Sequence, residues 1–245
     1  MTLYNQFPAF LFKMRYTLTL ATIAAFISNA FAFTCRIMPL GASITFGVGS
    51  SQGNGYRDDL YNLLEADGNV VNMVGNNPAV DSTFHDKDTE GWSGFKIAQV
   101  DEKMRISMPQ NRPNIVTLLV GTNDMSGNDD VANAPGRLGR LIDGILGFPP
   151  LTLVIVSSLP PNRDAATNNR INAYNAAIPG VVQARVDAGR SVMFADCGSL
   201  VGADEIPDGT HPNDAAYERI GRCFYEKVVE ADSRGWIFPV EGPPP

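Results

Sequence analysis

The sequence predicts an α/β fold, a three-layer α/β/α arrangement with a five-stranded parallel sheet. Short runs rich in Val, Ile and Leu are typical of strands buried on both faces, and they occur at 35–40, 70–74, 115–120, 151–157 and 191–195. Apolar residues at helical spacing lie between and after these runs, at 56–66, 95–104, 138–146, 168–188 and 213–233. Since crossovers between parallel strands are right-handed, a flavodoxin-like strand order is the best prediction.

Proline modifies two parts of this pattern. Pro179 lies inside the helical stretch 168–188, where we expect it to kink or break the helix. Residues 238–245 are rich in proline at the end of the chain, and we expect them to be frayed.

The first 32 residues have the features of a secretory signal peptide. Lys13 and Arg15 precede an apolar run at 18–27, and small residues at 30 and 32 follow in an Ala-x-Ala pattern. We therefore predict cleavage after Ala32, with Met14 as an alternative start. A membrane anchor is the competing interpretation, but the apolar run is too short for it.

The predicted organisation is a signal peptide at 1–32, one domain at 33–236 and a tail at 237–245, in a secreted, extracellular protein. Removing residues 1–32 takes away two basic residues and no acidic ones, which changes the formal charge from -7 to -9. A protein with this charge is not expected to bind nucleic acid or an anionic membrane by bulk electrostatics. The sequence leaves the oligomeric state open.

Three cysteines lie in the predicted mature chain, so in an oxidising compartment two can pair and one remains free. We predict a Cys197–Cys223 disulfide, with Cys35 as a buried apolar residue in the first strand. A Cys35–Cys223 pair remains an alternative.

Polar and glycine residues follow the predicted strands, at the sheet edge where open α/β folds bind ligands. These segments contain Gly41-Ala42-Ser43, Glu90-Gly91-Trp92-Ser93-Gly94, Gly121-Thr122-Asn123-Asp124-Met125 and Asp208-Gly209-Thr210-His211-Pro212. Their convergence on one edge is more specific than any single segment.

These residue types suit nucleophilic catalysis. A serine hydroxyl needs a base to take its proton, and a carboxylate must orient that base. We predict Ser43 as nucleophile, His211 as general base and Asp208 as the orienting acid. Asp196 and Asp204 are competing acids, whereas His85, the second histidine, lies in a polar stretch that resembles a surface loop.

The remaining predicted site residues stabilise charge or contact substrate. The backbone N–H groups of Ser43 and Gly91 and the side-chain amide of Asn123 are candidate oxyanion donors. Trp92 and Met125 are candidate substrate-binding residues, although Trp92 is equally explained as a rim or core aromatic.

The four segments, in this order, resemble the SGNH (GDSL-like) hydrolase superfamily. The first block, from Arg36 to Gly47, looks most like that of acetyl xylan esterases of carbohydrate esterase family 3. The resemblance covers about residues 35–230. It implies a Ser–His–Asp triad, an oxyanion hole from Ser43, Gly91 and Asn123, and no required cofactor. Ala42 departs from the family's usual Gly-Asp-Ser, so another group must help to hold the nucleophile loop.

The sequence therefore predicts a serine esterase for short acyl esters, with acetylated xylan as the simplest substrate. A lipolytic or general carboxylesterase would use the same triad, and a non-catalytic binding protein on this fold is a third interpretation. A metal site is not predicted, because two distant histidines make no zinc set and the acidic stretch 81–90 is better explained as a solvated loop than as a calcium site.

Overall fold

The computed structural model describes residues 32–149 and 151–242. The signal peptide predicted at 1–32 lies outside these residues except for Ala32, and so do the last three residues of the tail. The processing of the N-terminus therefore remains a prediction.

Within the described residues the sheet is parallel, in the order β2-β1-β4-β5-β6, with a short β3 also paired to β1. The strands are β1 (Thr34–Gly41), β2 (Val70–Met73), β3 (Glu90–Gly91), β4 (Ile115–Leu119), β5 (Leu153–Ser157) and β6 (Val192–Ala195). The five strands with the predicted flavodoxin-like order are confirmed. The two-residue β3 was not predicted, because such a short strand carries no periodicity.

Helices cover both sides of the sheet. They are α1 (Ser43–Phe46), α2 (Arg57–Ala66), α3 (Ile97–Asn111), α4 (Thr122–Ser126), α5 (Ala134–Leu146), α6 (Ala165–Asp187) and α7 (Asp214–Ser233). One layer contains α2 packed on α7, and the other contains α5 packed between α3 and α6. The predicted three-layer arrangement is confirmed.

Pro179 does not break its helix, because α6 continues through it from Ala165 to Asp187. A proline removes one backbone hydrogen bond. Ile171, Tyr174, Ile178 and Val182 lie along one buried stripe that spans the position, so packing holds the helix on both sides of it.

The tail is attached as far as the structure describes it. Asn114 Nδ2 donates to Phe238 O at 2.7 Å, and Arg36 Nη1 donates to Glu241 O at 3.1 Å. The expectation that residues 238–245 are frayed is therefore wrong for 238–242. Buried side chains at the amino ends of β1 and β4 bind backbone carbonyls of the tail, which a composition pattern does not indicate.

The predicted Cys197–Cys223 disulfide is confirmed, and it joins the segment after β6 to α7. Cys35 is free and buried in β1. Burial, with a smaller contribution from the charge of Asp232, raises the pKa of the Cys35 thiol to about 12.

A carboxylate lies in the contact between α2 and α7. The Cα of Gly221 on α7 approaches Asp59 so closely that an added Cβ would be 2.7 Å from the Cβ of Asp59. Burial, followed by the negative charges of Asp58 and Glu218, raises the pKa of Asp59 to about 6. Because the folded state holds this proton more tightly than the unfolded chain, Asp59 favours folding less as pH rises from about 4 through 6.

We expect Asp59→Asn to raise Tm by about 2–4 °C at about pH 7.5, because the neutral amide avoids the charge. At about pH 3, below the pKa of Asp59 in both states, the difference should be close to zero. Thermal unfolding followed by circular dichroism measures both values. Glu226→Gln, on the exposed side of α7, is the matched control. An equal rise at both pH values would contradict the electrostatic explanation.

Candidate active site

Ser43 is placed by the end of β1. It is the first residue of α1 and lies just beyond Gly41, the last residue of the strand. The backbone N–H groups of Gly47 and Val48 both donate to Ser43 O at 3.0 Å, which closes the short helix. The serine hydroxyl is therefore held on a rigid turn at the carboxyl edge of the sheet.

The structure brings Ser43, His211 and Asp208 into one hydrogen-bonded chain. Ser43 Oγ lies 2.9 Å from His211 Nε2, and His211 Nδ1 lies 2.6 Å from Asp208 Oδ2. These distances match the arrangement of nucleophile, base and orienting acid that serine hydrolases use.

Asp208 is held as a carboxylate. Its Oδ1 accepts the backbone N–H groups of Thr210 at 2.9 Å and of His211 at 2.8 Å. Burial opposes ionisation, but these hydrogen bonds and the one from the imidazole outweigh it and lower the pKa of Asp208 to about 2. Since an ionised carboxylate only accepts hydrogen bonds, Nδ1 of His211 carries the ring proton and Nε2 is free to accept one.

The two competing acids are placed elsewhere. Asp196 Oδ1 accepts the hydroxyl of Ser158 at 2.6 Å, and Asp204 is exposed in a short 3₁₀ turn. Asp208 is thus the acid that contacts His211. Its spacing of three residues lets one side chain bind both the ring and the backbone of the histidine.

Two contacts fix the histidine loop. Asn213 caps α7 by accepting the N–H of Ala216 at 3.0 Å. Tyr217 on α7 donates its hydroxyl to Val48 O at 2.6 Å, which ties that helix to the segment after the nucleophile. The segments that carry Ser43 and His211 are far apart in sequence, and this hydrogen bond holds them together.

The nucleophile loop is held without the acid that Ala42 replaces. Thr45 Oγ1 donates to Leu119 O of β4 at 3.4 Å, and Arg57 Nη2 donates to Phe46 O at 3.3 Å. Arg57 is fully buried. The sequence indicated the absence of the acid but not these two hydrogen bonds, because both are contacts between separate segments.

The candidate oxyanion donors differ in availability. Asn123 lies in α4, and its Nδ2 donates to Phe95 O at 2.9 Å, which leaves the second N–H of this amide for a substrate. Gly91 N–H donates to Thr89 Oγ1 at 3.0 Å and is therefore already engaged. The prediction for Gly91 is not supported by this geometry.

Close packing explains why residue 91 is glycine. A Cβ at Gly91 would lie 2.5 Å from the backbone nitrogen of Phe46, so a side chain would displace α1. In the same segment, Phe95 N–H donates to Trp92 O and closes a turn that contains Gly94. Among the described residues the N–H of Gly94 has no partner, and Asn123 is bonded to the same turn.

The two predicted substrate contacts lie in different surroundings. Trp92 is half-buried, its Nε1 donates to Glu90 Oε1 at 2.8 Å, and Lys103 Nζ lies 4.1 Å from the centre of its ring. Met125 is fully buried in the hydrophobic core. Met125 is therefore not in a position to contact substrate, and the prediction for it is wrong because the helix α4 turns this side chain inward.

Two acids that the sequence did not place in the active centre support its loops. Glu90 is fully buried and accepts Ser107 Oγ at 2.5 Å and Asn76 N–H at 2.7 Å, in addition to the indole of Trp92. Asp124 is fully buried and accepts the N–H of Ile97 at the start of α3 and a guanidinium N–H of Arg137. Asp124 therefore joins the turn after β4 to the start of α3 and to α5.

Among the residues that the structure describes, neither a metal-binding cluster nor a membrane-spanning helix is found. Residues 32–149 and 151–242 contain no group of three or more His, Cys, Asp or Glu side chains arranged to hold a metal ion. No helix in the same residues is long and apolar enough to cross a membrane.

The sequence from residue 40 to 219 matches the GDSL-like Lipase/Acylhydrolase family. The chain belongs to this family. The matched range begins at the end of β1 and includes Ser43, Asn123, Asp208 and His211.

Proteins with similar sequences or structures include several that carry esterase names. A multidomain esterase of Ruminococcus flavefaciens is 29% identical over 93% of this chain and 32% of its own length. The chain spans about a third to three fifths of the length of the curated relatives it matches.

Two solved structures of family 3 carbohydrate esterases resemble this fold. The enzyme from Clostridium thermocellum has a TM-score of 0.73 and 30% identity, covering 84% of this chain and 100% of that one. The enzyme from Talaromyces cellulolyticus has a TM-score of 0.70 and 25% identity, covering 82% of this chain and 99% of that one.

Proposed function

We propose that this GDSL-like protein is a secreted serine carboxylesterase that removes acetyl groups from plant cell-wall polysaccharide such as acetylated xylan. The observation that carries the proposal is the chain of hydrogen bonds from Ser43 through His211 to Asp208. The likeness to family 3 carbohydrate esterases supports the choice of acetyl ester and of a carbohydrate alcohol. The signal-like N-terminus supports secretion.

Acylation begins when Ser43 Oγ attacks the ester carbonyl carbon while His211 Nε2 takes the hydroxyl proton. The carbonyl oxygen becomes an oxyanion, for which the backbone N–H of Ser43 and the free N–H of Asn123 are the donors. His211 then gives its proton to the alcohol oxygen as the carbon–oxygen bond breaks. The products of this half-reaction are free alcohol and acetyl-Ser43.

Deacylation repeats these steps with water. His211 Nε2 takes a proton from a water molecule that attacks the acetyl carbonyl, and the same donors stabilise the second oxyanion. Ser43 Oγ leaves with the proton from His211, which releases acetic acid and restores the enzyme. Asp208 stabilises the imidazolium in both halves because it stays ionised down to a pH of about 2.

A lipolytic esterase is the competing function. Each methylene buried in an acyl groove contributes about 0.8 kcal/mol, or about fourfold in kcat/KM. The segments around Ser43 are instead short and rich in Gly, Ser, Asn and Asp, especially at 47–55 and 76–90. These residues offer little apolar surface for a long acyl chain.

We expect kcat/KM for p-nitrophenyl acetate to exceed that for p-nitrophenyl octanoate, and we expect acetate release from acetylated xylan. A series from acetate to octanoate, with acetate release measured in parallel, tests both points. The Ser43→Ala variant serves as the blank for uncatalysed hydrolysis. A steady rise with chain length and no acetate from xylan would favour the lipolytic function and overturn the proposal.

A further inference from the structure

A cleft of about 220 Å³ lies beside the Ser–His–Asp chain. One wall is the segment 46–53, which follows the nucleophile, and the other is the segment 79–82. Phe46, Val48 and Ser50 line the first wall, and Ala79, Asp81 and Ser82 line the second. None of these residues belongs to the triad or to the candidate oxyanion donors.

The cleft adjoins His211. Gly49, which lines it, has a φ of 92°, and an added Cβ there would lie 2.7 Å from the Cβ of His211 and 2.8 Å from Pro212 O. Glycine at 49 therefore lets the wall of the cleft pack directly against the histidine loop.

Buried polar groups hold the walls in place. Arg57 donates to Gly53 O at 2.9 Å in the first wall. It also donates to Lys87 O at 3.5 Å, and this carbonyl accepts the N–H of Ala79 in the second wall at 2.9 Å. The buried Asn54 accepts Ser82 Oγ at 2.7 Å. Because these bonds cross between the walls, the cleft is preformed and its shape does not depend on a ligand.

The chemistry of ester cleavage decides which part of the substrate enters. His211 must give its proton to the alcohol oxygen, so the alcohol leaves on the histidine side of Ser43. The carbonyl oxygen instead faces Asn123, which is bonded to Phe95 O in the segment after β3. The wall of the cleft at Gly49 packs against the histidine loop, so the cleft lies on the alcohol side of the scissile bond.

The lining fits a sugar. Asp81 is exposed, and its side chain has no hydrogen-bond partner among the described residues, so its carboxylate can accept two hydroxyl groups. Phe46 and Val48 offer apolar surface to the C–H face of a ring. A hydrocarbon alcohol would offer the Asp81 carboxylate no hydrogen-bond donor.

Resting on the proposed function, we propose that this cleft binds a sugar residue of the alcohol part of the ester, with Asp81 as the residue that recognises its hydroxyl groups. The inference assigns the carbohydrate specificity of the enzyme to the segments 46–53 and 79–82, outside the groups that perform the chemistry.

The test uses two substrates that the same catalytic centre cleaves. For wild type, Asp81→Ala and Asp81→Asn, kcat/KM is measured with acetylated xylo-oligosaccharide and with p-nitrophenyl acetate. We expect the ratio of the two values to fall about tenfold in Asp81→Ala, because a hydrogen bond to a charged group is lost, and to fall less in Asp81→Asn. Glu226→Ala removes an equal charge from an exposed site on α7 and should keep the wild-type ratio.

Two failures can be told apart. If wild type releases acetate from the oligosaccharide and Asp81→Ala has the same ratio as Glu226→Ala, the assignment of the cleft is overturned while the proposed function stands. If wild type hydrolyses p-nitrophenyl acetate but not the oligosaccharide, the carbohydrate function falls and the sugar assignment falls with it.

Discussion

Ser43→Ala and His211→Ala should each lower kcat for p-nitrophenyl acetate by about 10³-fold or more. Without Ser43 Oγ no acyl-enzyme forms. His211 Nε2 lies 2.9 Å from Oγ, and without it no base is in place to take the hydroxyl proton. Because the two groups act as one unit, the double variant should be scarcely slower than either single variant. Steady-state kinetics measure these values, and circular dichroism checks that each variant is folded.

His85→Ala is the matched control, since His85 is the other histidine of the chain and lies exposed against the rings of Tyr61 and Phe84. It should keep the wild-type kcat. Turnover near the wild-type value in Ser43→Ala, or a loss in His85→Ala equal to that in His211→Ala, would contradict the assignment of nucleophile and base.

Asp208→Asn should lower kcat by about 10⁴-fold while the fold is preserved. An asparagine oxygen can still accept the N–H groups of Thr210 and His211, which Asp208 Oδ1 binds now. Its amide would donate to His211 Nδ1, however, and would thereby place the ring proton on Nε2. That tautomer cannot accept the proton of Ser43, so activity is lost through the position of one proton.

The control for Asp208→Asn is Asp204→Asn, which changes an exposed acid four residues away that has no contact with the imidazole. It should leave kcat unchanged. If both variants lost the same activity, or if Asp208→Asn kept the wild-type kcat, the orienting role of Asp208 would be wrong.

The elements of the sheet were predictable because burial on both faces leaves a local signature. Continuous apolar runs of four to eight residues indicated β1, β2, β4, β5 and β6, and their boundaries differ from the predicted ones by one or two residues. The short α1 and α4 were not predicted, since one turn of helix has no detectable period. The expectation of a break at Pro179 is wrong for a similar reason, because the local rule does not include the packing of α6 against the rest of the fold.

The candidate triad was predictable for a different reason. Parallel strands end at one edge, so the polar residues that follow β1 and β6 converge there, and histidine is scarce in this chain. The distances of 2.9 and 2.6 Å agree with that expectation. Gly91 and Met125 were assigned by their place in a motif. The N–H of Gly91 already has a hydrogen-bond acceptor and the side chain of Met125 is buried, and a motif indicates neither fact.

By itself the sequence determined the fold class and which polar side chains could meet, because these depend on periodicity, spacing and residue type. It favoured the strand order and the disulfide pair that the structure shows, but left a second pairing of Cys223 open. Only the tertiary structure decided which N–H groups remain free for an oxyanion, how Thr45 and Arg57 hold the loop around Ser43, and where the cleft lies. Those features arise from contacts between segments distant along the chain. Such contacts leave no local pattern, since each hydrogen bond depends on the packing of two or three elements at once.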